Sequence, residues 1–183
     1  MDAPNVAIRQ VTLALTEDEV SVIRDLLRAA FADDGEGFTD HDWEHAARGT
    51  HFLLEEAGVV LAYASVVTRE LEVDGRPLRV GYVEAVATRP DVQGRGHGSS
   101  IVRAVDEHIR STYELGALST GLPDFYRRLG WELWLGSTAV RTERGLVPTP
   151  EDDGGIMVLS TPTTPALDPR APISCEWRPG DVW

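Results

Sequence analysis

Between residues 93 and 98 the chain reads QGRGHG. An apolar, β-rich run precedes it (GYVEAVA, 81–87), and Ile101, Val102, Val105, His108 and Ile109 follow at helical spacing. Glycine costs roughly 0.5–1 kcal/mol inside a helix or strand, so the segment predicts a strand, a glycine loop and a helix in that order. Glycines at 94, 96 and 98 let backbone N–H groups turn inward on an anion, and the helix N-terminus adds partial positive charge. A pyrophosphate suits such a cradle. A Rossmann dinucleotide site needs G-x-G-x-x-G within a parallel βαβ unit and an acidic ribose ligand, and neither follows here. The loop by itself also fits a surface turn without a ligand.

The flanking sequence supplies more elements. Residues 6–15 alternate as a strand, and Thr16 with Asp18 and Glu19 opens an amphipathic helix bearing Val20, Ile23, Leu26, Leu27, Ala30 and Phe31. Residues 33–39 read as a loop, followed by a short helix through Trp43 and His45 that ends near Gly49. Residues 52–54 and 59–67 form a candidate hairpin, and 70–73 and 78–88 flank Asp74-Gly75, a strong two-residue turn signal. Further strands are expected at 115–119, 132–140, 155–159 and 173–177, with a short helix at 124–129. The Pro- and Thr-rich stretch 161–172 reads as a connector over the surface. Strands outnumber helices, and 183 residues suffice for one domain, expected to span 1–183.

Seventeen Lys plus Arg against 30 Asp plus Glu give a net charge of −13, a field that repels nucleic acid and attracts cations. The carboxylates gather in three places: Asp33, Asp34, Glu36, Asp40, Asp42 and Glu44; then Glu151, Asp152 and Asp153; then Glu176, Asp181 and the terminal carboxylate. Three acidic loops converging on one polycation is the expectation. Cys175 is the only cysteine, and the N-terminus lacks the basic and apolar regions of a secretion signal, so a reduced, cytoplasmic protein is expected. No apolar run approaches the roughly 20 residues of a membrane span, and histidines and cysteine do not fall at metal-ligand spacing.

Glu84 stands in an otherwise apolar strand, where an unpaired carboxylate would cost several kcal/mol. Either a neighbouring basic group satisfies it or it is a general base. Tyr126, in DFYRRLGW, is either a core tyrosine or a proton donor.

Gln93, Gly96 and Gly98 after the apolar strand resemble the Q/R-x-x-G-x-G/A acetyl-CoA signature of the GNAT superfamily. This resemblance implies an α/β (α+β) GNAT fold: a central mixed, mostly antiparallel sheet, splayed at the acetyl-CoA site and flanked by helices. It also implies that backbone amides of Gln93, Gly94, Arg95, Gly96, His97, Gly98 and Ser99 hold the pyrophosphate of acetyl-CoA, with Arg95 as an added phosphate contact. The strand end at Val86 and Thr88 then pairs with the pantetheine arm, and Tyr126 protonates the departing CoA thiolate. His97, beside the pyrophosphate, is more simply solvated than a base.

A narrower resemblance rests on FTDHDWEH (38–45), GYVEAVA, YELGALS (113–119), FYRRLGW, TPEDDGG (149–155) and CEWRPGDVW (175–183), in that order. Together they are similar to aminoglycoside 2'-N-acetyltransferases. That family implies that Asp42, Glu84, Ser119, Asp152, Asp181 and the carboxylate of Trp183 face the amines and hydroxyls of a cationic aminoglycoside, and that the protein is a homodimer. It further implies direct acyl transfer: Glu84 takes a proton from the 2'-ammonium through water, and a backbone amide near Val86 stabilises the oxyanion. Two departures fall at the acceptor pocket. The 33–37 loop is longer than the family's and puts Gly37 where the family has an aspartate, and the connector between Ser119 and Tyr126 is about two residues shorter. Another aminocyclitol such as kasugamycin, or a different small amine, is therefore the alternative acceptor. A non-catalytic module that binds acetyl-CoA or the drug is the alternative of another class.

Overall fold

The computed structural model describes residues 6–12, 14–33, 35 and 37–183. Leu13 of the expected first strand, and Asp34 and Glu36 of the first acidic cluster, lie outside the described residues. The chain divides into two compact units: Met1–Val67 with Glu84–Val105, and Thr68–Val83 with Asp106–Trp183.

The first unit begins with β1 (Val6–Val11), α1 (Glu17–Ala30) and α2 (Asp40–Ala46). Helix α1 starts where its sequence can satisfy the free N–H groups. Thr16 Oγ1 accepts from Glu19 N, and Glu19 Oε2 accepts from Thr16 N, a reciprocal cap with three acidic residues in the first turn. Its buried residues Ile23, Leu26 and Leu27 keep the spacing of one helical face. Strand β2 (Thr50–Glu56) pairs antiparallel with β1 and with the first part of β3 (Val59–Val73). The last part of β4 (Arg76–Thr88) and the start of α3 (His97–Thr112) complete this unit. Ile23, Leu27, Leu53, Tyr63, Ala85 and Ala87 share its core, with Phe38 and Trp43 packed against them.

The expected Asp74-Gly75 turn joins β3 to β4 with φ of 50° and 75°, as a mirror-image two-residue turn requires. Residues 70–73 are no separate strand, however, because β3 runs unbroken for 15 residues. Two of its polar positions find partners far along the chain: Thr68 Oγ1 bonds Tyr113 Oη at 3.0 Å, and Arg69 Nε donates to Glu176 Oε1 at 3.1 Å.

The second unit adds β5 (Leu115–Ser119), α4 (Pro123–Arg127), β6 (Glu132–Leu133), β7 (Thr138–Thr142), β8 (Gly145–Pro148), β9 (Ile156–Ser160) and β10 (Ile173–Glu176). The sheet is mixed, as expected: β5 pairs parallel with β4 and antiparallel with β9, while β10 pairs parallel with β7 and antiparallel with β3. The β4–β5 ladder covers Val80/Leu115, Gly81/Gly116 and Tyr82/Ala117, and β4 itself runs on to Thr88. Gly81 and Gly116 face each other here because a Cβ on either would strike the side chains covering them, Tyr113 at 2.7 Å from the first and Leu159 at 2.9 Å from the second.

The expected strand 132–140 is broken in two. Between β6 and β7 the amides of Leu135 and Gly136 leave the ladder to donate to Pro169 O, and Trp134 Nε1 donates to Ala171 O. Segment 161–172 is thus hydrogen-bonded to this unit. The exposed strand β8, which pairs with β7, was not anticipated, since a short polar-flanked run ending in proline carries little strand signal. Among the described residues no helix is long and apolar enough to cross a membrane.

Candidate active site

Period-two geometry sorts the end of β4 into two faces. Ala85 and Ala87 join the core against α1, whereas Glu84, Val86 and Thr88 share the opposite, half-buried face. The next residue, Arg89, is pinned by its amide, which donates to Leu61 O at 2.9 Å. Leu61 is available because the β2–β3 register shifts by one residue after Leu54. A single 3-10 turn over Pro90–Val92 follows, anchored by buried Val92, and Gln93 Nε2 reaches back to Thr88 O at 3.3 Å.

Gly94 and Gly96 both have positive φ, 75° and 87°, a region costly for any side chain. A Cβ added at either meets no protein atom within 4 Å. Helix α3 then begins at His97, inside the glycine loop, and Ser100 N makes the opening bond to Gly96 O at 3.0 Å. Gly98 and Ser99 therefore sit in the first turn. The amides of His97, Gly98 and Ser99 lie ahead of that bond, among those a helix cannot satisfy internally. Open space, left-handed glycines and three amides ahead of the first helical bond make a cradle that fits a pyrophosphate. Arg95 is exposed beside it. Asp42, also in this unit, caps α2: its Oδ2 accepts from both the amide and the hydroxyl of Thr39 at 2.8 Å.

In the second unit Tyr126 of α4 is buried and edge-on to Trp131, at 5.9 Å between ring centroids. Trp131 Nε1 donates to the buried carboxylate of Asp106 at 3.0 Å. Burial first, and then the charge of Asp106, raise the Tyr126 phenol above its ordinary range, so that it stays protonated. Ser119 ends β5, exposed. It adjoins the loop after β8, where Gly155 N donates to Asp152 O at 3.0 Å and Thr120 N donates to Gly155 O at the same distance.

Asp152 closes a second 3-10 turn, Pro150–Asp152. Burial raises its carboxyl first; the neighbouring charges of Asp181, Glu151 and Asp153 raise it further, while a hydrogen bond with the Thr149 hydroxyl opposes them. Asp153 is not free for a ligand, since its Oδ1 accepts from Thr138 N at 2.8 Å and Thr138 Oγ1 at 2.9 Å. Residues after β10 fold back on the same unit. Arg178 Nε donates to Asp181 O, Cys175 Sγ approaches Val182 O at 3.3 Å, and Trp183 buries its indole and donates from Nε1 to Thr149 Oγ1 at 3.0 Å.

Residues 12–134 match the model of the acetyltransferase (GNAT) domain. The chain is also 44% identical over 150 residues to the aminoglycoside 2'-N-acetyltransferase of Mycolicibacterium fortuitum, a match covering 80% of this chain and 77% of that protein. This chain belongs to the aminoglycoside 2'-N-acetyltransferase family of GNAT proteins.

Solved structures bear out the GNAT fold of this acetyltransferase. A GNAT family acetyltransferase from Brucella melitensis, solved with acetyl-CoA, superposes with a TM-score of 0.61 at 19% identity, covering 91% of this chain and 95% of its own. A GNAT family N-acetyltransferase from Escherichia coli, solved with CoA, gives 0.68 at 17%, covering 96% and 92%.

Within this GNAT chain the sequence-derived residues fall into two sets. Glu84, Val86, Thr88, the 93–99 cradle and Asp42 belong to the first unit, and Ser119, Tyr126, Asp152, Asp181 and Trp183 to the second. Thr149, Thr138 and Asp106 escaped the sequence reading. TPEDDGG drew attention to its acids, while buried threonines and a helical aspartate carry no local signal of the partners they meet.

Proposed function

We propose that this acetyltransferase transfers the acetyl group of acetyl-CoA to the 2'-amino group of an aminoglycoside, conferring resistance, in one step. The observation that carries the reading is the 44% identity to a protein bearing the name of that reaction. Acetyl-CoA rests its pyrophosphate on the amides of Gln93, Gly94, Arg95, Gly96, His97, Gly98 and Ser99, and its pantetheine arm along Val86 and Thr88. The acceptor's 2'-ammonium gives a proton to Glu84 through water. Its nitrogen then bonds the carbonyl carbon as the C–S bond breaks, and Tyr126 protonates the leaving thiolate. Asp42, Ser119, Asp152, Asp181 and Trp183 line the acceptor side.

Several features support this assignment. Glu84 shares a strand face with the pantetheine-facing positions, and Tyr126 keeps its proton in the neutral range. Cys175 offers no rival covalent route: burial pushes its thiol up to about 11, so little thiolate exists at neutral pH. The family match at 12–134 takes in stretches of both compact units, which supports one catalytic domain. A cytoplasmic homodimer completes the reading, to be checked by light scattering on the purified protein.

Kanamycin B and kanamycin A differ at the 2' position, amine in the first and hydroxyl in the second. Incubation of each with acetyl-CoA, followed by thiol release, tests the function. Turnover of kanamycin B alone is expected. Turnover of both would move the acetylated nitrogen elsewhere, and acetyl-CoA binding with no turnover of any amine would leave a binding module.

A further inference from the structure

Two acidic residues on the acceptor side, Asp152 and Asp181, lie in separate segments without regular secondary structure of their own beyond one short 3-10 turn. Carboxylates that repel each other do not hold a spacing unaided, so something else must set it. The hydrogen bonds converge on one buried hydroxyl. Thr149 Oγ1 accepts the Trp183 indole N–H at 3.0 Å and donates to Thr138 Oγ1 at 2.9 Å. Thr138 in turn is held by its bonds to Asp153 Oδ1 and to Thr149 O. Thr138, Thr149 and Trp183 are all buried, the indole at 4% exposure, so these bonds do not exchange freely with water. Asp152 stands three residues after Thr149, with its amide on Thr149 O, and Asp181 stands two residues before Trp183.

We infer that Thr149 is a positioning residue for the acceptor: its hydroxyl joins the segment carrying Asp152 to the segment carrying Asp181 and so fixes the two carboxylates at the separation that receives the drug's ammonium groups. The inference rests on the aminoglycoside reading for its ligand, but not for its geometry. The role needs a hydroxyl, not a shape. Valine matches threonine in volume yet can neither accept from the indole nor donate to Thr138, whereas serine keeps both capacities.

The test compares wild type, Thr149→Val and Thr149→Ser by steady-state kinetics with acetyl-CoA and kanamycin B, thermal melting, and deuterium exchange of residues 177–183. Thr149→Val is expected to raise KM for kanamycin B about 3- to 10-fold, the loss of one buried hydrogen bond. KM for acetyl-CoA should stay near wild type, Tm should fall by only a few degrees, exchange in 177–183 should accelerate, and Thr149→Ser should restore all of them. Unchanged exchange, an unchanged KM for kanamycin B, or equal rises in both KM values with a lowered Tm would overturn the inference. Should the wild-type protein acetylate neither kanamycin, the aminoglycoside reading falls, and the exchange data alone still decide whether Thr149 fastens the tail.

Discussion

Tyr126 meets Trp131 edge to face, ring planes at 72°, and Trp131 is fixed in turn by its bond to Asp106. The phenol is thereby held in one orientation and kept protonated by burial and by a carboxylate nearby. Tyr126→Phe keeps the ring contact and deletes the proton. We expect kcat to fall about 10- to 100-fold with Tm within a few degrees of wild type. Because the phenol titrates above its usual ~10, kcat of the wild type should hold its plateau to at least that pH. An alkaline fall well below pH 10 that disappears in Tyr126→Phe would contradict the shielded phenol.

Glu84→Gln removes a base and preserves the shape of the strand face shared with Val86 and Thr88. Turnover of kanamycin B at neutral pH should drop about 10- to 1,000-fold, while acetyl-CoA affinity by calorimetry stays within about twofold. Unaltered turnover would take Glu84 out of the mechanism.

Gly96→Val forces a β-branched residue to φ of 87° and projects it into the open space above the cradle. Acetyl-CoA binding should weaken at least tenfold in a variant that still melts cooperatively. Wild-type affinity would place the pyrophosphate away from this loop.

Acceptor affinity should fail early on acidification. Asp152 is raised chiefly by burial and then by its acidic neighbours, so as pH falls it neutralises before an ordinary carboxylate does. KM for kanamycin B should therefore climb on the acid side at a pH above the usual ~3.9 of aspartate. Asp152→Asn should raise KM at neutral pH and flatten that climb. The same shift has a stability counterpart with the opposite sign: a carboxylate more easily protonated when folded costs stability at neutral pH, and that cost is relieved as pH falls through its raised titration.

The sequence was most legible where local chemistry decides. Thr16 with Glu19, Asp74-Gly75 and the glycines at 94 and 96 each demand one backbone geometry, and each adopts it. It was least legible where partners lie far away. The split of 132–140 follows from Pro169 and Ala171, and the continuity of β3 through Thr68 and Arg69 follows from Tyr113 and Glu176, none of which neighbours the affected residues in sequence. Asp42 stood out as one acid among many, and no composition argument could tell that one of its oxygens is committed to Thr39. Thr149 was invisible for the same reason: its partners, Thr138 and Trp183, are side chains that folding brings to it.

The bond between Arg69 and Glu176 spans 107 positions, and it sits where β10 closes onto β3. During synthesis at roughly 5–20 residues per second, β3 therefore waits about 5–20 s on the ribosome before its partner exists. Throughout that interval Arg69, only 3% exposed at the end, must stay hydrated, and the β3 edge that will take β10 is open to any other strand. A guanidinium in that nascent edge is the kind of charge that discourages pairing with a neighbouring polypeptide, and the same group bonds Glu176 once β10 is in place.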